Sequence, residues 1–229
     1  MSRWPAALSR HRRAVAVAAV VIAIGVVTFL TIRAGSNNDD LVPATEASTT
    51  LPPSGAQAEL LRLLEAGRQA NYTASYRQSG PTGESQVRQA RRPPQERMDT
   101  TSGSGDQTKR EVDITLPSGR VGCTQQGTEP WSCEKKAGGT GGSLTNIMTS
   151  TIVGQLRGYN TEARDERVAT EPSRCFTLSG GEGGPAEICF TTDGILSRVV
   201  AGDVRLELTD LDRRAPGDDV FVLPAPVSG

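Results

Sequence analysis

The sequence predicts an α+β protein in which an N-terminal transmembrane helix and a flexible tether precede an antiparallel β-sheet with helices packed on it. Three patterns predict this class. A charge-free apolar run covers Ala14–Ile32. Two later segments, 55–71 and 143–158, place apolar residues three and four positions apart, as a helix requires. Most of the remaining chain alternates apolar and polar residues between Gly-rich turns, which is typical of antiparallel strands.

The apolar run Ala14–Ile32 is long enough to cross a bilayer. A helix of this length spans about 28 Å, close to the roughly 30 Å of a hydrocarbon core. Three arginines shortly precede the run, and only Arg33 directly follows it. The positive-inside rule therefore places residues 1–13 in the cytoplasm and everything after Arg33 outside. A cleaved secretory signal is the alternative, but its apolar region usually has only about 7 to 15 residues. We expect an uncleaved, single-pass anchor in the cell membrane.

The remainder of the chain divides into a linker and one outer domain. Residues 33–54 are rich in Ser, Thr, Pro and Asn without periodicity, which predicts a flexible linker. A tail of residues 1–13 is too short to fold, so the function is expected in residues 55–229. That length is sufficient for a single core.

Charge and histidine content exclude several function classes. From Ala34 onward the chain carries 20 basic and 26 acidic residues, which argues against nucleic acid as a partner. The single histidine, His11, precedes the membrane run. The outer domain therefore lacks the imidazole of Ser-His-Asp or Cys-His catalysis and of His-ligated zinc sites. We expect a non-enzymatic protein without a cofactor.

The first half of the outer domain is predicted as one helix followed by strands. Gly55–Asn71 forms the helix, with Leu60, Leu61, Leu64 and the stem of Arg68 on its apolar stripe. Gly67 is expected to weaken its last turn. The period then changes to two, which predicts strands at Tyr72–Arg77, Val87–Ala90, Glu96–Thr101, Glu111–Leu116, Arg120–Gln125 and Trp131–Lys135.

Prolines and arginines mark the region between the second and third strands. Pro93-Pro94 is expected at a sheet edge or a bulge, because proline cannot donate to a ladder. The surrounding arginines form a local basic patch that would meet anionic head groups or, more commonly, guard a solvated strand edge. They are Arg88, Arg91, Arg92 and Arg97.

Four cysteines lie in the outer domain, at spacings of ten and fourteen: Cys123, Cys133, Cys175 and Cys189. Four cysteines allow three connectivities. We favour Cys123–Cys133 and Cys175–Cys189, since each pair would join neighbouring strands across a Gly-rich turn. A zinc site with four cysteine ligands is the rival interpretation, although the CxxC spacing typical of such sites is absent.

A second helix is predicted at Ser143–Gly158. Its apolar stripe is either plain core or the wall of a ligand cavity, and comprises Leu144, Ile147, Met148, Ile152 and Leu156. No charged residue occurs from Ser143 to Leu156, which indicates a helix covered on more than one side. Further strands are predicted afterwards, at Val168–Thr170, Cys175–Leu178, Ala186–Thr191, Ile195–Ala201 and Val204–Leu211.

This order of elements resembles the LolA-like half-barrel superfamily over roughly Gly55–Pro224. The superfamily includes periplasmic lipoprotein carriers, mycobacterial lipoglycan-binding lipoproteins and sigma-factor regulatory proteins of the envelope. The resemblance lies in Thr192-Asp193-Gly194-Ile195-Leu196, the hairpin that follows, and the ending Val220-Phe221-Val222-Leu223-Pro224. One departure is the lipobox cysteine of the mycobacterial members, which the predicted membrane helix replaces.

The resemblance implies a curved antiparallel sheet, a half-barrel, with helices packed on its concave side. It also implies a hydrophobic cavity for acyl chains or glycolipid, plugged by the helix Ser143–Gly158. In that arrangement Leu144, Ile147, Met148, Ile152 and Leu156 face the ligand. Two functions follow. The first is binding of a lipid or another hydrophobic ligand. The second is an envelope regulator or sensor with a filled core, which acts through contacts with a protein partner.

Overall fold

The computed structural model of the chain describes residues 55–137, 159–180 and 184–228. They lie within one compact unit, Thr50–Gly229. The predicted membrane segment, the linker and the predicted helix Ser143–Gly158, with its five candidate ligand-facing residues, lie outside these ranges. Among the described residues, no helix has both the length and the apolar character that a bilayer crossing requires.

The described residues form an α+β fold with a large open antiparallel sheet of eleven strands and one α-helix, α1 (Gly55–Gln69). The strands are β1 (Tyr72–Gly80), β2 (Gly83–Arg92), β3 (Gln95–Ser102), β4 (Lys109–Leu116), β5 (Gly119–Gln126), β6 (Ser132–Lys136), β7 (Asn160–Val168), β8 (Glu171–Ser179), β9 (Ala186–Thr191), β10 (Leu196–Ala201) and β11 (Val204–Asp212). Two short 3-10 helices, Gly105–Gln107 and Asp218–Phe221, complete the described elements.

The sheet consists of two meanders that meet in its middle. Its order is β6-β5-β4-β3-β2-β1-β11-β10-β9-β8-β7. Consecutive strands pair antiparallel within β1–β6 and within β7–β11, and β1 also pairs antiparallel with β11. Strands β6 and β7 therefore occupy the two ends of the described sheet. The long-range pairing of β1 with β11 makes one sheet out of the two meanders.

Helix α1 covers one face of the sheet, which we call the inner face. Leu60, Leu63 and Leu64 are at most 2% exposed. They pack into a cluster that also contains Tyr72, Ala74, Tyr76, Val87, Phe176, Leu178, Ile188, Phe190, Ile195, Leu196, Leu206 and Leu208. The predicted stripe is partly wrong: Leu61 is only half-buried and Arg68 is exposed, while Leu63 and Gly67 are buried.

The opposite face, which we call the outer face, carries a second buried cluster. Its members come from β4, β5 and β6, and are Val112, Ile114, Val121, Cys123 and Cys133. The chain crosses this face after β11, and its last residues pack on the cluster through Leu223, Ala225 and Val227. We call residues 216–228 the strap.

Strand β7 differs from its prediction. The alternation predicts a strand at Val168–Thr170, whereas β7 covers Asn160–Val168 and the next two residues turn towards β8. Ala169 occupies this turn with φ 51°. The prediction failed because β7 ends the described sheet and most of its residues are exposed and polar or charged. An apolar alternation therefore does not mark it.

Pro93 and Pro94 form the tight turn between β2 and β3, with a cis bond between them. Both flanking strands lie inside the sheet, so the expectation of an edge or a bulge is wrong. Proline fits this position because a two-residue turn requires no ladder donor from its central residues, and a turn with a central cis-proline is an established type.

Candidate ligand-binding site on the inner face

The C-terminal half of α1 is docked on the turn between β9 and β10 through two glycines. A Cβ atom on Gly67 would lie 2.1 Å from the carbonyl oxygen of Gly194, and one on Gly194 would lie 2.1 Å from that of Leu63. Gly194 also has φ 83°, a conformation that favours glycine. Backbone therefore touches backbone, and this contact determines how deeply the leucines of α1 reach the sheet.

A cluster of buried polar side chains extends the inner face beyond the end of α1. It is formed by Tyr72 and Tyr76 of β1, Gln89 and Arg91 of β2, and Glu96 of β3. The register places Tyr72 beside Arg91, and Arg91 beside Glu96. Directly paired residues project from the same face of a sheet. We call these five residues the polar floor.

Arg91 connects the polar floor to the helix. Its Nη1 donates to Glu96 Oε2 at 2.6 Å, while Nε and Nη2 donate to the carbonyl oxygen of Arg68 at 3.2 and 2.6 Å. The guanidinium thus neutralises a buried carboxylate and satisfies a carbonyl near the end of α1, where intrahelical donors run out. Gln89 Nε2 donates to the other oxygen of Glu96. Each carboxylate oxygen of Glu96 therefore has a partner.

Two atoms of the polar floor lack a hydrogen-bond partner among the described residues: the hydroxyl of Tyr76 and Oε1 of Gln89. Tyr76 is 2% exposed and Gln89 is fully buried. Burial raises the pKa of Tyr76 well above its ordinary value, with further contributions from Tyr72 and Glu96. The phenol is therefore neutral at physiological pH. Together these atoms offer one hydroxyl and one acceptor to an incoming group.

A small groove of about 280 Å³ lies between α1 and strands β7 and β8. Its lining includes Glu59, Arg62, Asp165 and Arg174. Arg174 bridges the helix and the sheet, because its guanidinium pairs with Glu59 and with Asp165, each at 3.1 Å. The groove therefore has charged, ion-paired walls, which suit a polar side chain better than an acyl chain.

Both disulfides are formed in the pairing that the sequence favours, Cys123–Cys133 and Cys175–Cys189. Each joins directly opposed residues of neighbouring strands. Glu187 lies close to the second pair, with all three ligand-type atoms within 4.8 Å of one another. The sulfurs are consumed by the disulfide, so they are not thiolate ligands for a metal.

An ion-pair network lies on the outer face beside the second disulfide. Arg198, 8% exposed, pairs with Glu166 and Glu187, each at 2.7 Å. Hydrogen bonding to Arg198 holds the pKa of Glu166 below its ordinary value. The network ties β7, β9 and β10 together on the face opposite α1.

The four arginines predicted as a basic patch do not form one. Arg91 lies on the inner face in the polar floor, whereas Arg92 and Arg97 bind the strap on the outer face. Arg88 is exposed. Interior strands separate alternate residues onto opposite faces, so neighbours in sequence have different surroundings. The predicted solvated edge is therefore wrong for these strands.

The site residues predicted on the helix Ser143–Gly158 remain predictions. The polar floor was missed because Gln89, Arg91 and Glu96 read as solvent-facing polar residues. The alternation of Tyr72, Ala74 and Tyr76 was the available signal, since it indicates that β1 has one buried face. Only the register shows that polar side chains of β2 and β3 share that face.

No protein-family model and no curated protein sequence matches the chain. Solved structures do match. A crystal structure of MucB is 16% identical, covers 75% of this chain and 64% of its own, and has a TM-score of 0.53. The Pseudomonas aeruginosa MucA/MucB complex is 17% identical, with 75% and 62% covered and a TM-score of 0.54.

A third structure, MucB in complex with MucA(peri), is 17% identical over 72% of this chain and 59% of the other, with a TM-score of 0.51. This chain thus spans less than two thirds of the MucB chains that it matches. At such identities the likeness shows the fold alone.

Proposed function

We propose that this chain is a membrane-anchored, extracytoplasmic domain of the cell envelope that acts without catalysis, as a regulator or sensor that binds a protein partner. The observation that carries the proposal is the filled space beneath α1. Beneath α1, a continuous cluster of buried side chains occupies the space between helix and sheet. Beside α1, the described groove has ion-paired walls. A filled core of this kind leaves recognition to the protein surface.

The fold supports a binding role of this type. MucB shares the fold, and two of its structures contain MucA. We transfer from them the kind of activity, which is recognition of another protein, and not the identity of the partner. The absence of histidine after residue 11 supports the non-enzymatic part of the proposal.

The proposed location of the chain, anchored in the membrane with its domain outside, rests on the sequence. The run Ala14–Ile32 with its preceding arginines supports a single-pass anchor with the outer domain extracytoplasmic. The two disulfides support the same placement, because structural disulfides persist in oxidising compartments outside the cytosol.

Binding of a lipid or glycolipid is the second candidate, and the polar floor favours it. The Tyr76 hydroxyl and Gln89 Oε1 would hydrogen-bond the head of an amphiphile whose chains lie against neighbouring apolar side chains. Each buried methylene would contribute about 0.8 kcal/mol. In this proposal the predicted residues Leu144, Ile147, Met148, Ile152 and Leu156 line the cavity.

The test uses the full 229-residue chain, produced in a bacterial envelope with a photo-crosslinking residue at exposed Arg62 or Val222. The control is a chimera in which residues 1–54 anchor an unrelated soluble domain. We expect a discrete protein adduct with the full chain and none with the chimera. The captured protein should then bind the purified chain in a binary assay.

Native mass spectrometry with organic extraction separates the two candidates. Stoichiometric lipid that is lost on Ile147→Trp or Ile152→Trp, but retained on the exposed control Val222→Trp, would support the lipid candidate. A chain that carries no lipid and yields no specific adduct would contradict both.

A further inference from the structure

The strap is held on the outer face in two unequal halves. The first half is anchored by two arginines. Arg92 donates from Nη1 to the carbonyl oxygen of Pro216 at 3.0 Å, pairs with Asp218, and lies 5.2 Å from the ring centroid of Phe221. Arg97 donates from Nη1 to the carbonyl oxygens of Val220 and Val222, each at 3.0 Å.

A neighbouring carboxylate orients the guanidinium of Arg97. Asp99 accepts from Nε and Nη2 of Arg97 at 2.7 to 3.0 Å, which fixes the plane of the guanidinium. Phe221 is 5% exposed. Removal of the first half would therefore expose the apolar surface around Phe221. It would also leave the guanidinium groups of Arg92 and Arg97 without the carbonyl oxygens that they bond.

The second half, Leu223–Ser228, has much weaker attachments. Its alternate residues Leu223, Ala225 and Val227 contact the outer cluster, but all three remain half-buried. Its described backbone contacts involve one residue of the sheet: Val227 forms a parallel bridge with Cys133, and Ser228 N donates to the carbonyl oxygen of Cys133 at 2.9 Å. Segments with few buried contacts open at low free-energy cost.

The surface beneath this half has the properties of a peptide groove. Its floor is the outer cluster of β4, β5 and β6, and one wall is the edge of β6, the end strand among the described residues. A groove of this type binds an extended peptide through alternate side chains and through main-chain hydrogen bonds to the strand edge. Leu223–Ser228 occupies it through the side chains of Leu223, Ala225 and Val227 and through backbone contacts of Val227 and Ser228 with Cys133. Prolines stand at the intervening positions 224 and 226.

We propose that the outer face of β4–β6 is a peptide-docking groove that the chain fills with its own residues Leu223–Ser228. The partner that fits is a protein with an extended segment of small apolar residues at alternate positions, separated by residues such as proline that make no ladder donor. That segment displaces the second half of the strap while the first half stays anchored. This inference rests on the proposed function, because it names the surface through which the protein partner is bound.

The test compares the full chain with a variant that ends at Val222. The probe is a fluorescent synthetic peptide of residues 222–229, and the control peptide carries Leu223→Asp and Val227→Asp. We expect the truncated chain to bind the probe at least about tenfold more tightly than the full chain, and the control peptide not to bind. Far-UV circular dichroism and a count of intact disulfides establish that the truncated chain is folded.

A second variant covers the case in which truncation prevents folding. The full-length chain with Leu223→Asp and Val227→Asp should release its own strap and bind the wild-type probe as the truncated chain does. Equal affinity of the probe for the full and opened chains, or equal affinity of the probe and the control peptide, would overturn the inference.

The outcome is separable from that of the proposed function. Capture of a specific partner by a chain whose groove binds no peptide would reject the groove and keep the function. Peptide binding to a chain that captures no protein in cells would retain the groove as an intramolecular device and reject the function. Where a partner is captured, the truncation should raise its affinity.

Discussion

At the residue scale, Gly67 and Gly194 determine how closely α1 approaches the sheet. The composition suggests that Gly67 is a weak point of the helix, whereas in the fold it is the position at which a side chain has no space. The lost helix propensity of glycine, about 1 kcal/mol relative to alanine, is offset by the burial of the leucines that this close contact allows.

We expect Gly67→Ala to destabilise the domain by about 2 kcal/mol or more, because the added methyl group overlaps the carbonyl of Gly194 and overpacking typically costs about 1–3 kcal/mol. The matched control is Gly55→Ala at the other end of α1, where nothing lies within 4 Å of the new Cβ. Denaturant unfolding of both variants measures the difference. Equal stabilities would show that α1 does not dock through this contact.

Arg91 is the residue on which the polar floor depends. Its side chain is 9% exposed, and that of its partner Glu96 is 6% exposed. We expect Arg91→Met to cost about 3–5 kcal/mol, since Glu96 would remain buried without its counter-charge. Arg88→Met, on the same strand but exposed, should change stability by less than about 0.5 kcal/mol.

A compensating variant identifies the cause. Adding Glu96→Leu to Arg91→Met should recover a large part of the lost stability, because the uncompensated buried charge is then removed. If the double variant is as unstable as Arg91→Met, the hydrogen bonds from Arg91 to the Arg68 carbonyl are the dominant contribution.

The ionisation of Tyr76 makes the stability of the domain depend on pH in the alkaline range. Its raised pKa means that the phenol ionises in the unfolded chain before it does so in the folded one. The stability associated with this group is therefore complete below the unfolded pKa, near 10, and decreases as pH rises towards the folded pKa. We expect Tyr76→Phe to be neutral or stabilising at pH 7, because it removes a buried hydroxyl that has no described partner.

The same substitution should reduce the loss of stability between pH 10 and pH 12. Urea unfolding at several pH values measures this, with Tyr159→Phe as the control. A large loss of stability for Tyr76→Phe at pH 7 would show that the hydroxyl has a structural partner. Loss of a copurified ligand without loss of stability would instead support the lipid candidate.

At the element scale, the two disulfides have similar geometry in the sheet but different neighbours. Chain-entropy arguments give about 3 kcal/mol for a bridge that closes a loop of ten or fourteen residues. Cys175–Cys189 lies between strands β8 and β9, which both have neighbours on each side. Cys123–Cys133 instead holds β6, the strand on which the strap ends.

We expect Cys123→Ala with Cys133→Ala and Cys175→Ala with Cys189→Ala to lose similar stability, but only the first pair to loosen the strap. Hydrogen exchange followed by mass spectrometry of the segment 223–228 provides the readout. Protection there should fall in the first variant and persist in the second. Equal protection in both variants would show that β6 does not hold the strap.

Elements differ in how well local sequence predicts them. Helix α1 and the hairpin of β10 and β11 follow from spacing alone, because each contains its own periodicity and turn. Strand β7 and the Pro93-Pro94 turn do not follow from local spacing. Strand β7 has no apolar alternation, and the position of the turn depends on which strands pair alongside β2 and β3. Local propensity does not contain that information.

At the scale of the whole molecule, the two larger buried clusters lie on opposite faces of one continuous sheet. Backbone hydrogen bonds between neighbouring strands, from β4 through β1 to β11, connect the two clusters. We therefore expect a single unfolding transition. Leu64→Ala in the inner cluster and Ile114→Ala in the outer cluster should each cost about 2–5 kcal/mol and lower the midpoint without changing the slope m.

Trp131 packs on the outer cluster, and Tyr72 and Tyr76 belong to the inner one. With Trp4 replaced by Phe, tryptophan fluorescence and near-ultraviolet tyrosine dichroism therefore report on different faces. The two probes should give coincident curves. Separate transitions, with Ile114→Ala affecting only the fluorescence curve, would show that the meanders unfold independently.

The α+β class, a first helix predicted at Gly55–Asn71 and observed at Gly55–Gln69, most strands and the favoured cysteine pairs follow from the sequence, because they depend on spacings within about fifteen residues. The faces of the sheet, the polar floor and the course of the strap are instead set by contacts between residues far apart in the chain. Arg92 meets a residue 126 positions away in Asp218, and Gln89 shares a face with Tyr76 only through the register of β1 and β2. Such contacts arise from strand pairing and from which face is buried. A shift of the strand register by one residue would move these side chains to the opposite face of the sheet.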